Sequence, residues 1–276
     1  MPEASVVISR APSGSARRAT DRSPEEQRTA EDEISASLAA QGLNVLVVPH
    51  IYNLPGVEGI ASRLASLAGP LTLASWLHPR PAEWVLRYLG YEGEVACVDI
   101  GAYCCAGTCV GALADLMKGA EGAGAGAVEE LETEAPERWY PVIDYSRCAE
   151  CGQCFDFCLF GAYERDDGGR VKVSSPDSCK PGCPACARVC PAGAIIFPHY
   201  QADEAIAGAP GCEIPHAPPD RDALVAAVRS AAATGCDCSE AVKEALAGRG
   251  GACSACGCTS PDGIDELIDA LDELDA

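Results

Sequence analysis

Hydrophobic and polar positions along the chain change rhythm several times. Val45, Leu46, Val47 and Val48 form a short, mostly β-branched run, the pattern of a strand covered on both faces. Ile60, Leu64 and Leu67 follow at helical spacing within 56–67. A second apolar run at 71–76 reads as a strand, and 81–91, with Pro81 in its first turn, as a helix. Residues 94–100 read as a third strand. Strand, helix, strand, helix, strand at these intervals predicts a small parallel sheet covered by helices over residues 41–118.

The flanks read differently. Residues 1–40 are polar, with Pro2, Pro12 and Pro24 among the charges, and predict a disordered tail with a short helix over 24–40. Residues 119–138 are Gly- and Ala-rich and then glutamate-rich, the composition of a linker. Beyond Tyr200 the chain turns Pro-, Asp- and Ala-rich, and 201–276 reads as a helical, Cys-rich, acidic region. It ends in an amphipathic helix with Ile264, Leu267, Ile268 and Leu271 on one side.

Between linker and C-terminal region lies the densest chemistry in the sequence. Cys148, Cys151, Cys154 and Cys158 are spaced x2, x2, x3. Cys179, Cys183, Cys186 and Cys190 are spaced x3, x2, x3, with Pro191 next. Zinc ribbons set two Cys-x2-Cys pairs far apart, so four cysteines within eleven residues argue for iron–sulfur ligation over zinc or disulfides.

Residues 138–200 resemble the bacterial-type ferredoxins that carry two [4Fe-4S] clusters. The resemblance implies that Cys148, Cys151, Cys154 and Cys190 hold one cluster, and Cys179, Cys183, Cys186 and Cys158 the other, each fourth cysteine reaching across. It also implies an edge strand at 140–144, a turn at 166–169 before Val171 and Val173, and a closing strand at 194–197. Two departures stand out. Lys180, Pro181 and Gly182 carry one extra residue between the first two cysteines of the second half, which a turn can absorb. Leu159 stands where the family's proline follows the fourth cysteine of the first half.

The N-terminal sheet offers a second candidate site. Ligands of parallel sheets sit beyond the carboxyl ends of the strands. His50 falls there after the first strand, His78 and Arg80 after the second, and Cys104, Cys105 and Cys109 after the third. These residue types suit a metal, a redox-active thiol site or an anionic ligand held by Arg80. A histidine after the first strand gives a distant similarity to small α/β chelatases. In the C-terminal region Cys236, Cys238, Cys253, Cys256 and Cys258 form two bunches around a helix and suggest a third metal site, with zinc the candidate.

Charge and compartment narrow the function. Forty-one acidic against twenty basic residues give a formal charge of −21, which repels nucleic acid and suits docking on basic redox partners. Clustered rather than scattered cysteines point to a reducing cytoplasm, and no apolar run is long enough to span a bilayer. The expected class is α+β: a parallel α/β domain, a two-cluster ferredoxin-type domain and a helical tail region. The expected function is one-electron relay to or from a partner. The alternative is an iron–sulfur-dependent oxidoreductase or metal-handling enzyme with its substrate in the α/β domain.

Overall fold

The computed structural model describes residues 6–12, 22–57, 59–67, 70–118, 126–131, 133 and 135–212. Its first part is a five-stranded parallel sheet of β1 (Val6–Ser9), β2 (Val45–Val48), β3 (Leu71–Ser75), β4 (Val95–Asp99) and β5 (Val128–Glu130). The strand order is β4-β3-β1-β2-β5. The helices between them are α1 (Pro24–Ala40), α2 (Ile60–Ala65), α3 (Pro79–Tyr88) and α4 (Ala106–Leu116). The three expected strands and two expected helices of residues 41–118 are all present, within a few residues of their expected ends.

Two expectations are corrected. The described part of the N-terminal 40 residues is not a tail, because β1 is the central strand, paired to β2 on one side and β3 on the other. Val6, Val7 and Ile8 are completely buried, a β-branched run like that of β2 but of only three apolar residues, set among polar ones. α1 starts on a capping box: the Ser23 hydroxyl accepts from the Glu26 amide and the Glu26 carboxylate accepts from the Ser23 amide. The stretch 119–138, with its linker composition, also carries structure, since β5 within it pairs in parallel with β2. A side chain at Gly126 would stand 1.9 Å from the Leu43 carbonyl oxygen, so glycine there permits close approach as well as freedom.

The second part is built of β6 (Val142–Ile143), α5 (Gln153–Phe157), β7 (Tyr163–Arg165), β8 (Val171–Val173), α6 (Ala185–Arg188), β9 (Ile195–Ile196) and α7 (Glu204–Ala207). β6 pairs antiparallel with β9, and β7 with β8 across the turn at Asp166 to Gly169. Alternate side chains of the big sheet divide the packing. Val6, Ile8, Val45 and Val47 face α1 and α4 with Ile34, Leu38 and Leu113. Val7, Leu46, Val48 and Leu73 face the other way, into a core that runs on without a break through Tyr52, Val85 and Tyr140 to Val142, Cys154, Cys186 and Ile196. The cysteine-bearing part therefore shares the core of the sheet rather than hanging from a linker.

Polar contacts cross the same joint. Arg80, in the first turn of α3, donates to Asp144 Oδ2 at 2.6 Å and to the Gly193 carbonyl at 2.7 Å. The Tyr52 hydroxyl donates to the Tyr140 carbonyl and accepts from the Tyr140 amide at 2.8 Å. The Asn53 side chain accepts from the Arg138 amide at 3.2 Å. Among the described residues no helix is long and apolar enough to cross a membrane.

Candidate functional site

The two cysteine segments fold as repeats of one device. After Cys148, the backbone turns through Glu150 at φ +55° and Gly152 at φ +79°, which aims successive amides inward. A side chain at Gly152 would stand 2.4 Å from the Arg165 guanidinium. Cys154 lies in α5, and Cys158 ends it. Leu159 and Phe160 then turn into Gly161 at φ +70°. The second half matches: Cys186 lies in α6, and Cys190 leads through Pro191 and Ala192 into Gly193 at φ +56°. The extra residue is absorbed as expected. Cys183 donates its amide to the Lys180 carbonyl at 3.1 Å, with Pro181 second and Gly182 third at φ +77°, a type II turn.

Electrostatic contacts among the thiols cross the repeat. Cys148 and Cys154 each lie within reach of Cys190, Cys148 also of Cys151, and Cys154 more weakly of Cys186. Cys179 and Cys186 each lie within reach of Cys158 and Cys183. Burial, and after it mostly the neighbouring thiolates, pushes Cys154 and Cys179 up to about 12. Burial pushes Cys186 up to about 11, and the Tyr163 hydroxyl opposes it. Cys148, Cys154, Cys179 and Cys186, so buried, resist carrying charge by themselves.

Donors face these sulfurs. The amides of Glu150, Phe155 and Ala187 point at Cys148, Cys154 and Cys186, and the Ala194 amide donates to Cys190 Sγ at 3.3 Å. The buried Tyr163 hydroxyl satisfies no other protein group and lies beside Cys186. An iron–sulfur cluster fits this donor set: it deprotonates its thiols, spreads their charge and offers sulfide acceptors to such donors. Among the described residues, no three His, Cys, Asp or Glu side chains converge on a single metal ion.

The candidates of the α/β part do not gather at one point. Arg80 is committed to Asp144 and Gly193. His78 Nδ1 lies 3.4 Å from Asp99. Cys109 is buried against α1, its thiol pushed up to about 11 by desolvation, while Cys104 and Cys105 are exposed on the loop before α4. Cys236, Cys238, Cys253, Cys256 and Cys258 lie outside the described residues.

His50 has a partner that sequence reasoning missed. Its Nδ1 lies 3.0 Å from the Arg10 carbonyl, so that nitrogen carries the proton. Its Nε2 then accepts from His199 Nε2 at 2.9 Å, which leaves the buried His199 Nδ1 as an acceptor with no partner. Burial lowers His50 to about 4 and His199 to about 3. Tyr52 packs edge-on against His199 and feels the charges of Cys179 and Cys186. On the far side His50 lines a cavity of about 680 Å3 with Arg10, Arg28, Asn53, Glu130 and Thr133, beyond the carboxyl ends of β1, β2 and β5. With only four histidines in the chain, a pairing of two of them was the available signal.

No protein-family model matches the chain. Curated relatives do, each over a short stretch. An uncharacterized ferredoxin of Methanocaldococcus jannaschii is 48% identical over 61 residues, 22% of this chain and 41% of that protein. The pyruvate synthase subunit PorD of the same organism is 40% identical over 55 residues, 20% of this chain and 62% of its own length. A second uncharacterized ferredoxin from that source is 32% identical over 58 residues, 20% of this chain and 74% of its length. The chain thus spans less than two thirds of the first two, and most of its own length lies outside every match.

Proposed function

The chain belongs to the ferredoxin family through one domain of its length, and from that premise we propose that it relays single electrons through two [4Fe-4S] clusters. Cys148, Cys151, Cys154 and Cys190 hold the first cluster, and Cys179, Cys183, Cys186 and Cys158 the second. The observation that carries this reading is the crossed proximity, in which Cys190 stands by Cys148 and Cys154, and Cys158 by Cys179 and Cys186. Each cluster, when bound, supplies a one-electron couple. The chain's residues hold it near the surface, exclude water with Tyr52, Tyr163 and Ile196, and aim amides and the Tyr163 hydroxyl at the sulfurs, which favours the reduced state.

Electrons leave beside Cys158. Phe157, Leu159 and Phe160 are exposed there, Leu159 at 91%, with the carboxylate of Asp156 alongside. This suits an apolar contact ringed by basic side chains on a partner protein. By analogy with the pyruvate synthase subunit, that partner is a larger oxidoreductase. The setting is a reducing one, as cytoplasm is.

Anaerobic metal analysis with EPR of the dithionite-reduced protein tests the proposal. About eight iron and eight sulfide per chain with two interacting signals are expected. Cys158→Ala, though it lies in the first motif, should disturb the second cluster's signal. Half the iron, zinc in its place, or a Cys158→Ala effect confined to the first cluster would overturn the assignment.

A second reading draws on the cavity beside His50. His50 lines it and is linked through His199 and Tyr52 to Cys179 and Cys186, so a small polar substrate there would lie beside the histidine pair with a reductant behind it. In this reading the chain is an iron–sulfur-dependent oxidoreductase. Small polar oxidants offered to the reduced protein decide it. One whose reduction slows at least about tenfold in His50→Ala, with both EPR signals intact, would favour the enzyme. Equal rates for every compound would leave the carrier.

A further inference from the structure

Cys104 and Cys105 belong to neither cluster group, yet they have a setting of their own. β4 ends at Asp99, whose carboxylate caps the short turn Ile100–Ala102 by accepting from the Gly101 amide at 2.9 Å. The chain then extends to Cys105, the N-cap of the eleven-residue α4. The two sulfurs are 4.0 Å apart and both exposed, and Thr108 Oγ1 lies 3.7 Å from one and 3.6 Å from the other. Arg22 fixes the loop by donating to the Tyr103 carbonyl at 2.5 Å. A cavity of about 580 Å3 opens directly over the pair, between it and the start of α1.

We propose that Cys104 and Cys105 are a redox-active vicinal dithiol that reduces small disulfides, with Cys105 attacking and Cys104 resolving. The assignment of roles follows from the helix. The amides of Gly107 and Thr108 turn to the Cys105 sulfur, while the Thr108 hydroxyl donates to the Cys105 carbonyl at 2.9 Å and packs beside the sulfur, where the positive end of α4 favours a thiolate. These hydrogen bonds hold the Cys105 thiol below its ordinary range. Cys109, one turn on, is buried and inert by comparison.

The chemistry balances within the pair and its substrate. The Cys105 thiolate attacks one sulfur of the disulfide, the S–S bond breaks, and one thiolate leaves. Cys104 then attacks the Cys105 sulfur of the mixed disulfide, and the second thiolate leaves with the Cys104 proton. Two electrons pass from the dithiol to the substrate, and a Cys104–Cys105 bond remains. Adjacent residues lie only about 3.8 Å apart at Cα, short of the usual range of roughly 4.4–6.8 Å for a disulfide, so that bond is strained and the pair is a mild reductant, suited to disulfides with good leaving thiolates. The pair is thus suited to giving up two electrons and not to a permanent crosslink.

The cavity rim also selects. Glu25, Glu26 and Glu33 outnumber Arg22 around it, which disfavours anionic disulfides and favours neutral or cationic ones. The test uses the full chain with its clusters loaded, without oxygen, and three probes: dipyridyl disulfide (neutral), cystamine (cationic) and dithiobis-nitrobenzoate (anionic). Mass mapping after one equivalent of dipyridyl disulfide should find the Cys104–Cys105 bond and both probe halves released. Cys104→Ser should retain one half on Cys105, and Cys105→Ser should react at least about tenfold more slowly. With each rate divided by that of the same probe with a free small thiol, Cys105 should favour cystamine over the anionic probe, a preference weakened by salt. Equal reactivity of the two single variants, or no bond between the two residues in the wild-type chain, would overturn the proposal, and cluster content measured on every sample shows that the fold is intact.

Discussion

Arg80→Ala should loosen the joint between the sheet and the cysteine-bearing part. Asp144, 2% exposed, accepts from Arg80 Nε at 2.6 Å, and the same guanidinium holds the Gly193 carbonyl at 2.7 Å just past Cys190. Breaking a buried ion pair by removing one partner typically costs about 3–5 kcal/mol, because the remaining charge is stranded. Here the loss is softened. Arg147 Nε stays 3.6 Å from the same oxygen, and Ser146 donates its amide and hydroxyl to the other at 3.0 and 2.6 Å. Arg80 is also 21% exposed, so water refills part of its place. The expected loss is therefore about 2–3 kcal/mol, at or below the low end of that range.

Anaerobic urea unfolding of the cluster-loaded protein, followed by tyrosine and cluster absorbance together, reads this. Adding Asp144→Asn to the Arg80→Ala chain should recover about 1 kcal/mol or more, since the stranded charge is gone. A loss under about 0.5 kcal/mol, or no recovery in the double variant, would refute the clamp. Two separate transitions already in the wild-type chain would refute the shared core on which it rests.

Three further outcomes are expected. The folded chain binds protons at His50 and His199 less readily than the unfolded chain does, with values near 4 and 3 against an ordinary 6.5. Stability should be full above pH about 6.5 and fall below it, by up to about 1.4 kcal/mol per pH unit for each histidine; His199→Asn should flatten that slope in urea unfolding between pH 7 and 5, and an unchanged slope would show the pair is not its source. Gly182→Ala should cost about 1–2 kcal/mol through its positive φ alone, since nothing stands within 4 Å of the added carbon, and iron content should stay at the wild-type level; loss of half the iron would show that the turn shapes the second centre. Leu159→Lys should leave both EPR signals unchanged while slowing reduction of a basic acceptor protein such as cytochrome c in stopped flow, and an unaltered rate would move the exit elsewhere.

The sheet was legible where strand and helix each carried enough residues to set a period. β2, α3 and β4 follow from apolar runs, helical spacing and a proline at a helix start. β1 escaped because its apolar run is only Val6 to Ile8 within a polar segment, and what makes it a strand is burial between β2 and β3, neighbours nearly 40 and more than 60 residues away. β5 escaped for a related reason. Val128, Glu129 and Glu130 carry no apolar alternation, since an edge strand may expose its side chains, and Glu130 is placed by its ion pair with Arg10 at 2.7 Å.

The same contrast holds at the site, and it explains how the two parts come to be one body. Cysteine spacing is a local property, so the loops, the Lys180 to Cys183 turn and the repeat could all be read from neighbours in sequence. The partners of His50 and Arg80 could not, because His199 and Asp144 lie 149 and 64 residues away and neither sits in a motif. Both residues follow strands of the sheet, where ligands are commonly bound, and both are met by the cysteine-bearing part of the same chain. Arg80 finds the carboxylate of Asp144, and His50 finds the imidazole of His199. Part of the carboxyl edge that would face a ligand in an isolated sheet is thus spent on the joint, and what stays open are the cavity beyond His50 and the thiol pair before α4. A chain that merely tethered a ferredoxin to a sheet would have no reason to bury those contacts; their burial makes the sheet part of the environment of the cysteines, with Tyr52 reaching Cys179 and Cys186 from the sheet side.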